Sequence, residues 1–237
     1  MRSLVLIGSL ALSLTAAPAA SATPATAATT VQSATWAGYY LSGASGAYSS
    51  VSASFTVPGA TCKSSGTQVA DFWTGLDGVT SDTVEQIGIE ADCLSGTASF
   101  FGWYDLYPAA PVDFSNAISS GDSMSASVTF SGTTTYTLVL ADSTAGWSHT
   151  VTKSVAGDQR SSAEIVTSGP GGGGAGSGPT LLDFGKITYT SCKVNGTSMG
   201  TQDPTPVEMV DGQGRVMVST SAITSAGTFT NTWLRGN

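Results

Sequence analysis

Between Trp73 and Pro108 the chain gathers side chains that could act on a carbonyl group: Gln86, the acids Asp77, Glu90 and Asp105, and the indoles of Trp73 and Trp103. A carboxylate can take a proton from water as its oxygen attacks a carbonyl carbon, and then protonate the departing group. A side-chain amide can fix that water and donate to the developing oxyanion. Gln86 is the candidate amide. A glutamine in a strand also serves as an ordinary hydrogen-bonding group, so both readings stand at this point.

Other hydrolytic chemistries find less support. A nucleophilic serine needs a base beside it, yet the single histidine, His149, sits in a hairpin-like stretch and no Gly-x-Ser-x-Gly turn occurs. His/Asp/Glu spacing suited to a catalytic metal is absent, and Asp77 to Asp82 lacks the regular ligand spacing of a calcium loop. No metal and no cofactor are expected.

These residues must be positioned by strands. In a strand over Val84 to Ala91 successive side chains alternate, which puts Gln86, Gly88 and Glu90 on one face and Glu85, Ile87 and Ile89 on the other. Trp103 and Asp105 share a face in Gly102 to Tyr107 by the same rule. Similar alternation marks Tyr48 to Val57, Met124 to Phe130, Thr135 to Leu140 and His149 to Val155, with Ser131-Gly-Thr-Thr as a hairpin turn. Ser161 to Thr167 is a further strand with Glu164, Val166 and Ser168 in phase. Val69 to Trp73 is expected to stop at a turn over Gly75 to Gly78, and the seven glycines between Gly169 and Pro179 predict a flexible loop. Turn signals recur at short intervals and no helical period is sustained. The expectation is an all-β fold: an antiparallel two-sheet β-sandwich, concanavalin-like, with a concave cleft and one domain over 33–237.

Composition sets the surroundings. Arg2, the apolar run Leu4 to Leu14 and Ala20-Ser-Ala22 predict a signal peptide over 1–22, followed by a loose N-terminus or short pro-segment over 23–32. The expected product is a secreted, extracellular monomer that leaves the membrane once the signal is removed. With 8 basic and 16 acidic residues the formal charge is −8, which disfavours nucleic acid and anionic lipid. In acid the carboxylates neutralise and few positive charges remain to repel one another, so the composition suits an acidic milieu. Export favours an oxidised Cys62–Cys93 pair closing a loop around the chemical stretch, and leaves Cys192 as an odd, buried thiol.

Several motifs in order, Trp36-Ala-Gly-Tyr, Phe55-Thr-Val-Pro58, Trp73-x-Gly-Leu-Asp-Gly78, Thr83-Val-Glu-Gln-Ile-Gly88, Trp103-Tyr-Asp-Leu-Tyr-Pro108, Ser162-Ala-Glu164 and Asp183-Phe-Gly-Lys-Ile-Thr188, resemble the glutamic peptidases (eqolisins, family G1, formerly A4). The resemblance spans nearly all of the expected mature chain. It implies a β-sandwich whose concave face holds a catalytic Gln and Glu, active on proteins or peptides in acid. Gln86 matches the catalytic Gln, and Trp36, Trp73, Asp77, Glu90, Trp103 and Asp105 match cleft positions. The family's catalytic Glu lies four residues after the Glu of Ser-Ala-Glu; here that position is Ser168, which cannot carry protons in acid. Three readings follow. The chain is an inactive or weak relative that binds peptide or carbohydrate, or Glu164 takes over through a register shift of four residues, roughly 13 Å of strand, or Glu90 or Asp105 supplies the carboxylate.

Overall fold

The computed structural model describes residues 29–170 and 178–236. The expected leader and most of the glycine-rich stretch lie outside them. In chain order the strands are β1 (Val31–Ser33), β2 (Trp36–Ser42), β3 (Ser50–Thr56), β4 (Thr67–Asp77), β5 (Val84–Leu94), β6 (Thr97–Tyr107), β7 (Val112–Asp113), β8 (Ser123–Ser131), β9 (Thr135–Asp142), β10 (Trp147–Ser154), β11 (Ser162–Ser168), β12 (Thr180–Leu181), β13 (Lys186–Val194), β14 (Thr197–Ser198), β15 (Thr205–Val210), β16 (Val216–Thr220) and β17 (Phe229–Trp233), with one 3-10 turn at Met199–Thr201.

Pairing arranges them in two layers. The first runs β15–β2–β11–β4–β5–β6–β7 with every pair in that run antiparallel, while β1 joins β15 and β12 joins β4 in parallel. The second, also antiparallel, runs β16–β17–β13–β3–β8–β9–β10. Strand β15 pairs with both β2 and β16, with a register irregularity between Met209 and Val210, so the sheet folds over at that corner and does not close into a barrel. This is the expected sandwich.

The core lies between the layers and follows from the two-residue alternation. Phe72, Leu76, Ile87 and Ile89 point inward from β4 and β5, and meet Val51, Phe55, Val128, Leu138 and Leu140 from the opposite layer. Burying each such side chain stabilises the fold by about 1.5–3 kcal/mol, and it also fixes register. A slip of one residue in β5 would send Gln86 inward and Ile87 into water.

The expected end of β4 at Gly75 is corrected. The strand continues to Asp77 because it is paired on both sides, Leu76 facing Ala163 of β11 and Glu85 of β5. The break comes instead at Asp77 and Gly78, whose φ angles are 66° and 98°. Cys62 and Cys93 form the expected disulfide, with Cα atoms 5.4 Å apart, which ties the loop before β4 to the end of β5. Cys192 is a free thiol, buried as expected.

Candidate active site

On the outer face of the first layer the register lines up three rows of side chains. The first crosses Trp36, Ser168, Asp71 and Glu90; the second Gly38, Val166, Trp73, Gly88 and Trp103; the third Tyr40, Glu164, Gly75, Gln86 and Asp105. Glycine at 75 and 88 leaves the middle of this face low. A Cβ on Gly88 would run into the Phe72 carbonyl and the Trp73 side chain. Gly88→Ala is therefore expected to displace Trp73 and cost about 1–3 kcal/mol, measured as a drop in melting temperature; an unchanged value would contradict this packing.

The resulting cleft, with room of about 260 Å³, is lined by Asp71, Trp73, Gln86, Glu90, Trp103, Asp105, Pro111, Asp113 and Ser168. The Gln86 amide is held by donating from Nε2 to Asp105 Oδ2 at 3.1 Å. That contact uses one N–H and leaves the second N–H and the carbonyl oxygen. The Asp105 carboxyl titrates above its ordinary range because it is partly buried, against the lowering effect of bonds from Gln86 and the Leu106 backbone.

A second polar chain starts at Trp73, whose Nε1 donates to Ser168 Oγ at 2.8 Å. Ser168 Oγ in turn donates to Asp71 Oδ2 at 3.4 Å. Asp71 also hydrogen-bonds to Glu90, its direct partner across β4 and β5. Both carboxyls are pushed upward, first by burial. The Asp71 and Asp92 charges then raise Glu90, and the bonds from Glu90 and Ser168 partly restrain Asp71. Two carboxyls so close cannot both ionise readily, so between their two titrations the pair holds one proton.

Three of the residues expected at the site are not among those that line the cleft. Glu164 is only 2% exposed and does not line the cleft. Its carboxyl sits beside the Ser162 hydroxyl, which lowers it, and is raised well above its ordinary range first by burial and then by the acids Asp77 and Glu85 nearby. The register shift that would carry it toward position 168 is absent, since β11 runs in unbroken register with both β2 and β4 from Ala163 to Ser168. Asp77 is buried at the strand end, turned to accept bonds from the backbone N–H groups of Gln159, Arg160 and Ser161 at 2.9, 2.6 and 2.9 Å. Trp36 flanks Ser168 on β2 and packs edge-on against Tyr40, with ring centroids 5.8 Å apart.

Sequence reasoning missed Asp71, Pro111 and Asp113. For Asp71 the signal was present, because it stands two residues before Trp73 in the same strand and so shares its face. Pro111 and Asp113 come from the short strand β7 and its approach, which carry no periodic pattern.

The family model described as the Peptidase A4 family matches residues 34–233. Aspergillopepsin-2 of Aspergillus niger is 30% identical over 217 residues, which span 80% of this chain and 74% of that protein. Among solved structures, scytalido-glutamic peptidase with a peptide-based transition state analog superposes with a TM-score of 0.70 at 26% identity, covering 85% of this chain and 98% of the other. The aspergilloglutamic peptidase of Aspergillus niger gives a TM-score of 0.60 at 29% identity, over 70% and 99% of the two chains.

Proposed function

The chain belongs to the Peptidase A4 family, the glutamic peptidases, and from that premise we propose that it is an exported endopeptidase that hydrolyses peptide bonds of unfolded protein in acid. The observation that carries this reading is the Gln86 amide, fixed by Asp105 and opening on a cleft that also holds the carboxyls of Asp71, Glu90 and Asp113. The free carbonyl oxygen of Gln86 can accept a hydrogen bond from a water, and its free N–H can donate to the oxygen of a peptide carbonyl as negative charge grows there. Such a fixed dipole contributes more to the transition state than to the ground state, because it is already oriented when the charge appears. The two indoles, Trp73 and Trp103, wall the cleft and offer apolar surface to an extended peptide. No helix among the described residues is long and apolar enough to cross a membrane.

The test is cleavage of a denatured protein across about pH 3 to 8, followed by mass spectrometry of the fragments. Gln86→Ala is expected to lower kcat about 10²- to 10³-fold, the loss typical of one oxyanion donor. Undiminished cleavage by that variant would remove Gln86 from the mechanism. A second reading is favoured by Ser168 itself: a peptide-binding module whose family carboxylate has been lost. Cleavage that appears only in Ser168→Glu would select it.

A further inference from the structure

The family position for the acid–base carboxylate holds Ser168, yet Ser168 faces Asp71 directly across β11 and β4 and donates a hydrogen bond to it at 3.4 Å. We infer that the missing carboxylate has moved one strand over, and that Asp71, with Glu90 as its proton-sharing partner, is the general base and acid of this cleft. This rests on the peptidase reading above and names the group that would perform its chemistry.

The displacement brings the carboxyl one strand closer across the sheet, while along the strands it stays in the row of position 168, four residues or roughly 13 Å from the row of Gln86. Strand β4 lies between β11 and β5, so Asp71 stands one strand nearer to Gln86 than position 168 does. One strand spacing is about 4.8 Å, which set against that offset shortens the span by roughly 2 Å, enough to cover the single methylene, roughly 1.5 Å, by which aspartate is shorter than glutamate. Asp71 lines the same cleft as Gln86. Ser168 is held by Trp73 so that its hydroxyl proton is aimed at Asp71, which marks it as a positioning residue. The groups facing Asp71 are Glu90 and Ser168, with Asp92 beyond them. Burial and these neighbours raise Asp71 to about 6 and Glu90 to about 9, so the pair is singly protonated, Asp71 the carboxylate and Glu90 the acid, between those values, and the cleavage it carries should rise from about pH 3 toward about pH 7.

A pair in that state can run a full hydrolytic cycle. Asp71 takes a proton from a water as its oxygen bonds to the carbonyl carbon, and the π electrons move onto the carbonyl oxygen, which accepts from Gln86. Glu90 then gives its proton to the peptide nitrogen. The oxyanion collapses to re-form the C=O bond, the C–N bond breaks, and a carboxylic acid and an amine leave. The proton gained by Asp71 crosses the shared hydrogen bond to Glu90, and the pair ends with one proton, as it began. No other reactant is needed.

Four full-length proteins, the parent, Asp71→Asn, Asp71→Glu and Ser168→Glu, should be assayed on a denatured protein from pH 3 to 8, with melting temperatures measured in parallel. Asp71→Asn is expected to lower kcat about 10³-fold, within the usual range for a general base. Asp71→Glu, which keeps the carboxyl, should stay within about tenfold of the parent and separates lost chemistry from lost fold. Activity of Asp71→Asn within threefold of an active parent overturns the role of Asp71 while leaving the peptidase reading in place. A parent inactive throughout, with Ser168→Glu active, likewise overturns it and shows a cleft that has lost its carboxylate. Inactivity of both overturns the peptidase reading as well.

Discussion

Asp77→Ala will destabilise the fold by about 3–5 kcal/mol, the usual cost of stripping a buried, multiply bonded charge from its partners. At roughly 2–4 °C per kcal/mol for a domain of this size, the melting temperature should fall by about 6–20 °C. The reason is the number of donors that converge on one carboxylate. Besides the three backbone N–H groups of Gln159 to Ser161, the Ser161 hydroxyl donates at 3.1 Å and the Thr83 hydroxyl at 3.3 Å. Together these fasten the end of β4 to the segment that enters β11, the strand that carries Ser168. Alanine would leave those backbone donors buried and unpaired. Asparagine keeps the shape but offers one acceptor oxygen where two are used, so Asp77→Asn should fall between the two in a thermal melt. An alanine variant that melts within 2 °C of the parent would show that the loop finds its order elsewhere.

A second large effect is expected from pH. Glu85 points into the core beside Ile87 and is fully buried; burial, then the charges of Asp77 and Asp158, push its carboxyl up to about 8, against the Tyr136 hydroxyl and Arg160. The Tyr136 proton is given to Asp158 at 2.7 Å, so it does little to hold a charge on Glu85, which burial keeps neutral below about pH 8. Glu164 is raised in the same sense, also first by burial. Their ordinary value is 4.5. Below that pH both folded and unfolded chains are protonated and folding carries no penalty. Above it the unfolded chain ionises and gains while the folded chain does not, until Glu85 is forced to ionise near pH 8. Stability is therefore full in acid and declines as pH rises through this window. The loss amounts to several kcal/mol, because each pH unit over which only the unfolded chain is ionised costs about 1.4 kcal/mol. Melting temperature should fall from pH 4 to pH 8, and Glu85→Gln should flatten the decline. A curve that is level or rising over that range would refute the burial of a neutral carboxyl.

The parts of this molecule that alternate were legible in the chain alone. The period of two placed Gln86 and Glu90 together, and Trp103 with Asp105, because a strand with a core on one side leaves its register no choice. Burial of Glu164 was not legible, since its parity is that of Ser168 and only the packing around Ser162 and Asp77 separates them. Asp77, a cleft position by resemblance, is held instead by the backbone of Gln159 to Ser161 beyond a positive φ at the strand end, a contact that local pattern does not announce. Asp71 was legible and overlooked. Its meaning depends on which residue lies across the ladder, and non-adjacent pairing of β4 with β11 is what local pattern does not reveal.

The lone thiol of Cys192 is sealed in the core, on the far layer from the bridge that joins Cys62 to Cys93. Thiol–disulfide exchange needs the attacking sulfur to reach the bond as a thiolate, and here both access and ionisation are denied while the two sheets stay closed. Scrambling of the bridge is thereby reserved for molecules that have already opened, so the shelf life of this protein is governed by how often the sandwich comes apart.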